Sequence, residues 1–209
     1  MEEKKFVSLT ENIVSIIRMS NALVKLKGND PKLEEELKMA MEKDSDNLEK
    51  VCAYVFYLWF HMDNQLDLED ANAVFKVSIN VVDIIDGVLL KHPEYWILAV
   101  LKYRIRSFMN FEEKTLVMEL KNLVEEQRKR KYPPYFLVTD VLLSFAYFSL
   151  GDFNLAKKSL EEIFQVYQGK VTSLPEFFGQ FIDEYRNIIH RSPDGDILDL
   201  LNKVDRVYF

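Results

Sequence analysis

One cysteine, three histidines, six glycines and six prolines are all that this chain of 209 residues carries of those types. A lone thiol, Cys52, excludes an internal disulfide and a thiolate metal cluster, and a reducing compartment is the simplest reading. Scarce Gly and Pro leave little turn material for strand hairpins. The longest apolar stretch, residues 51–60, falls short of the roughly 18 residues that a membrane-spanning helix needs. The opening Met1-Glu2-Glu3-Lys4-Lys5 is mixed in charge, and Thr10, Glu11 and Asn12 interrupt the segment after it. No secretory signal is therefore expected, and the expected location is cytoplasmic, with no membrane partner. The formal charge of −7 and pI near 5.1 argue against nucleic acid as a partner, because phosphate-backbone affinity rests on clustered Lys and Arg.

Reactive motifs are as scarce as the residues that build them. His61, His92 and His190 are scattered, with no spacing that points two ligands from one helical face at a metal. No glycine-rich phosphate loop and no Gly-x-Ser-x-Gly elbow occurs. Cys52 sits among apolar neighbours, which suppress the reactive thiolate. Asp83 and Asp86 lie one helical turn apart but lack an organising partner, and read as a solvated face. The expectation is no catalytic residue, no metal and no cofactor.

Helical periodicity, by contrast, is abundant. Hydrophobic residues make up 48% and charged residues 29%, a globular balance. Ser8 and Glu11 have capping-box spacing, predicting a helix from there to about 26, stopped by Gly28. Asp30-Pro31 opens a second helix. Asp46 and Glu49 predict a cap for a third, whose residues 51–62 are apolar nearly all round, as befits the centre of the core. Val74, Val77, Val81, Ile84/Ile85 and Val88 form a stripe on a fourth, with Asp83 and Asp86 off it. Further helices are expected at about 93–109, 112–130, 135–150 and 152–167. Ser173 with Glu176 caps another, and Ser192-Pro193 starts the last, ending near 207. The fold class is all-α, with about nine or ten helices and no sheet.

Residues 143–160, Leu-Ser-Phe-Ala-Tyr-Phe-Ser-Leu-Gly-Asp-Phe-Asn-Leu-Ala-Lys-Lys-Ser-Leu, resemble the heart of a tetratricopeptide repeat, the unit spanning 135–167. Leu143, Ser144 and Tyr147 take the large, small and aromatic places of the first helix, Gly151-Asp152-Phe153 makes the turn, and Ala156 is the small residue of close approach. Leu160 and Ile163 supply the next apolar contacts. Asp140 departs from the pattern where a large apolar residue is usual, and no proline stands near Tyr167. Leu116, Leu120 and Leu123 echo Ala156, Leu160 and Ile163 forty residues earlier; residues 52–90 fit by helix pattern alone.

The resemblance implies antiparallel hairpins stacked as an α–α superhelix in one domain, 1–209: a helical pair at 1–45, three hairpins at 46–170 and capping helices at 171–209. It also implies a non-enzymatic module that binds a protein, peptide or partner helix in a concave groove. Val138, Val141, Phe145 and Phe148 are the groove candidates; the competing reading packs them under flanking helices as core. The basic run Arg128, Lys129, Arg130 and Lys131 is either a patch for an acidic partner or RNA, or a set of solvated cations at a helix C-terminus. Val207-Tyr208-Phe209 either docks on the last helices or joins a homodimer contact. Two alternative functions are a secretion or assembly chaperone holding a client, and a sensor with an aromatic pocket drawn from Tyr54, Trp59, Trp96 and Phe145.

Overall fold

Ten helices and no strand occupy the described residues of the computed structural model, which are 2–28, 30–65, 71–93, 95–109, 113–129, 137–168, 176–191 and 194–208. The all-helical class read from periodicity is therefore the class of the protein. Contacts divide the chain into two units, Met1–Ile105 and Arg106–Phe209. The cut falls inside a helix, Trp96–Met109.

In the first unit, α1 (Glu2–Lys27), α2 (Pro31–Lys43) and α4 (Ala71–Lys91) surround α3 (Leu48–Gln65). Helix α3 is central because it is apolar on every side: Val51, Cys52, Val55, Phe56 and Tyr57 are wholly buried. Helix α1 starts at Glu2 rather than at the Ser8 capping box; residues 2–8 hold no proline or glycine to break it. Gly28 ends it at φ +63°, a left-handed conformation that glycine adopts without a Cβ clash. Asp30 caps α2, its carboxylate accepting from the backbone N–H groups of Lys32 and Leu33 at 3.2 Å.

The cap of α3 corrects the sequence reading. Asn47, not Asp46, accepts from the Lys50 N–H at 3.2 Å. Asp46 is drawn elsewhere, with its carboxylate 3.5 Å from Lys91 and its carbonyl accepting from the Tyr95 hydroxyl at 3.2 Å. On α4, Val74, Ser78, Val81, Ile85 and Val88 are buried, and Asp83 and Asp86 are exposed. The middle of α5 (Trp96–Met109) is tied to α4 by Lys102, which donates to Asp86 at 2.5 Å.

In the second unit, α6 (Glu113–Lys129), α8 (Phe153–Val166) and α9 (Glu176–Arg191) pack around α7 (Leu137–Ser149), and α10 (Gly195–Tyr208) lies on α8 and α9. Arg186 of α9 donates to Asn202 at 2.9 Å and to Asp205 at 2.7 Å on α10, and also bonds Asp183. The last helix is capped by Asp194, which accepts from the Ile197 N–H at 3.2 Å. The expected caps Ser173 and Ser192, with Pro193, lie outside the described residues.

Candidate functional site

The α7–α8 hairpin holds the residues on which the family resemblance rests, and its geometry is set by four of them. Gly151 turns the chain at φ +78°, and Asp152 caps α8 by accepting from the Leu155 N–H at 3.2 Å. Ser144 and Ala156 are both fully buried, and the Ser144 hydroxyl donates to the Ala156 carbonyl at 2.8 Å. A larger side chain at either position would hold the helices apart. The Tyr185 hydroxyl of α9 lies 3.0 Å from the same serine oxygen. Since the serine proton is committed to Ala156, tyrosine is the donor.

The four groove candidates all lie within this packing. Val138, Val141, Phe145 and Phe148 are buried. The Phe145 ring meets Phe181 and Tyr185 edge-on, with centroids 5.8 and 5.1 Å apart, and Phe148 meets Tyr185 at 5.8 Å and Phe153 at 5.2 Å. The face of α7 that carries the two phenylalanines is thus occupied by α9 of the same chain. Periodicity within α7 gives no sign of this, because apolar residues fall on every side of the helix and only α9 decides which of them it covers.

The basic run does not act as one surface. Lys129 is exposed, Arg130 and Lys131 lie outside the described residues, and Arg128 points into the unit. Its guanidinium bonds Asp140 of α7 and donates to Glu162 of α8 at 2.8 Å. Asp140 is 1% exposed and also accepts from the Tyr167 hydroxyl at 2.8 Å. Two oddities of the sequence, an aspartate where the repeat wants a large apolar residue and an arginine expected in water, are the two halves of one ion pair, with the carboxylate buried and the guanidinium half-buried. Burial pushes the Asp140 carboxyl up to about 6, against the opposing pull of Arg128 and of the Tyr167 hydrogen bond. Burial and the neighbouring Asp140 push the Tyr167 phenol up as well.

The other singled-out residues are distributed by packing. Cys52 is fully buried and burial raises its thiol. His61 is half-buried and stacks on Tyr57 with centroids 6.3 Å apart. Tyr54, Trp59 and Trp96 are core residues of the first unit, and Phe145 belongs to the α7–α9 cluster of the second, so the four form no shared pocket within either unit. Tyr208 docks on α8, its ring centroid 5.9 Å from Phe164, and Val207 stays exposed; Phe209 lies outside the described residues. Among the described residues no group of His, Cys, Asp and Glu is placed to hold a metal ion, and no helix is long and apolar enough to cross a membrane. Comparison with protein-family models, curated proteins and solved structures gives no match, so the tetratricopeptide likeness rests on residues 143–160 themselves.

Proposed function

We propose that this chain is a non-enzymatic protein-interaction module of tetratricopeptide-like hairpins, taking an amphipathic helix or peptide on the apolar face of α7. The observation that carries the reading is the seating of α9 on that face. An amphipathic helix is held there by apolar and aromatic contacts to Phe145 and Phe148, with one hydroxyl contact at Ser144. This is the helix-in-groove mode of recognition, in which anchors at i and i+4 enter an apolar surface; Phe181 and Tyr185 have that spacing. A partner that engages Phe145 and Phe148 exchanges those two anchors for its own.

The test is purification of the tagged protein from its own host, followed by native mass spectrometry and proteomics. A protein or peptide at fixed stoichiometry, lost on Phe148→Ala while circular dichroism keeps its helix content and cooperative melt, is the expected outcome. A preparation that holds only self-dimer, with a large thermal shift produced by a small metabolite, would overturn the proposal.

A further inference from the structure

Helix α2 lies on the first unit without entering its core. Leu33, Leu37, Ala40 and Met41 make its inner stripe at helical spacing and are half-buried, Met39 is 52% exposed, and no residue from Pro31 to Lys43 is buried. Helices α8 and α10, of nearly the same length, each bury four side chains. The polar contacts that hold α2 to α3 are concentrated at its ends. At the start, the Tyr57 hydroxyl accepts from the Asp30 N–H and donates to the Asp30 carbonyl, both at 3.4 Å. Just past the last turn, Asp44 accepts from Lys50 at 2.8 Å. We propose that α2 is a strap, which leaves α3 and unfolds as a unit of its own while α1, α3 and α4 stay packed, uncovering the aromatic face of α3 that it crosses.

The contacts of α3 assign its sides. Helix α1 takes the side of Glu49 and Ala53, through Asn12 and Ser20, and α4 takes the side of Met62, through Ser78. The side left to α2 carries Lys50, Tyr54 and Tyr57, spaced one helical turn apart. Burial and the α2 carboxylates Glu34, Glu42 and Glu35 push the Tyr54 phenol up, which agrees with a ring beneath the strap. Tyr54 is 4% exposed and Tyr57 is wholly buried. The strap thus closes over rings that α3 supplies and commits little apolar surface of its own. A helix of this length is marginal alone in water, so α2 does not leave as a rod; release and melting are one event. Gly28, at φ +63°, and the turn at 44–46 lie at its two ends. As a helix α2 spans about 20 Å, and the same residues extended reach about 45 Å. Neither α1 nor α3 has to move when it opens, and their own contacts with each other do not pass through it.

Native-state hydrogen exchange on the whole protein, in urea below the unfolding transition, separates strap from core. Corrected for intrinsic rates, the amides of residues 35–43 are expected to exchange at least about tenfold faster than those of residues 55–60, with little dependence on urea, because a local opening exposes little surface. Ile85→Val trims a wholly buried side chain of α4 and weakens the core equally whether the strap is closed or open. It should speed exchange in α3 about fivefold and leave α2 unchanged. Amides of α2 that match those of α3 in protection and urea dependence, or that accelerate as much as α3 does in Ile85→Val, would overturn the strap.

Discussion

Helices α3 and α7 are both central and both buried around most of their surface, yet they are held by different physics. In α3 the buried side chains are almost all apolar, and the contacts they receive from polar side chains include the Ser78 hydroxyl on the Met62 sulfur at 2.9 Å and the Arg104 guanidinium over the Trp59 ring at 5.1 Å. In α7 the buried set includes Thr139, Asp140 and Ser144. An apolar core tolerates any neighbours of the right volume, whereas a buried carboxylate and hydroxyl accept only partners placed for them. Helix α3 is held mainly by shape, and α7 by shape together with a carboxylate and a hydroxyl that need placed partners.

This difference between the helices is most severely tested from the side of shape. Phe56→Ala empties a fully buried ring site in α3 and should lower the stability of the first unit by about 4 kcal/mol in urea unfolding. Arg128→Met strands Asp140 and should cost the second unit about 3 kcal/mol at pH 7.5. The pair Arg128→Met with Asp140→Leu should recover most of that loss, because a matched apolar replacement of a buried ion pair is often neutral or better. Both tryptophans, Trp59 and Trp96, lie in the first unit. Their fluorescence, set against circular dichroism, separates an effect confined to one unit from one that spreads.

Smaller changes refine the contrast. Ser144→Ala removes the acceptor of Tyr185 and the donor to Ala156, and an expected loss of about 1–2 kcal/mol would be read from the denaturation midpoint. Asp30→Ala deletes a cap at the edge of the first unit and should cost about 1 kcal/mol, visible as a modest shift in melting temperature.

The two units also differ in how far their sequence discloses them, and for the same reason. The central position of α3, the helix stops at Gly28 and Gly151 and the cap at Asp30 all arise from local chemistry, and local chemistry is what a sequence displays. The cap at Asn47 escapes a sequence reading because Asp46 is an equally good candidate until Lys91 and Tyr95 claim it, from far along the chain. The Arg128–Asp140 pair is visible there only as two unrelated misfits. The two residues sit on different helices, with Pro133-Pro134 between them, and no periodicity links them. The cover on Phe145 and Phe148 is illegible for a further reason: a helix with apolar residues on every side carries no mark of which of them its neighbour will take.

Cys52 gives the first unit a built-in clock. Its side chain is wholly enclosed in α3 and its thiol is held away from the thiolate, while the chain has no second cysteine to compete for reagent. A thiol-reactive dye therefore labels the native protein only through transient openings of that core. At low reagent the labelling rate reports how often α3 is reached relative to a freely exposed thiol. At saturating reagent it reports the opening rate itself, and both are obtained from unmodified protein by counting a single chemical event per molecule.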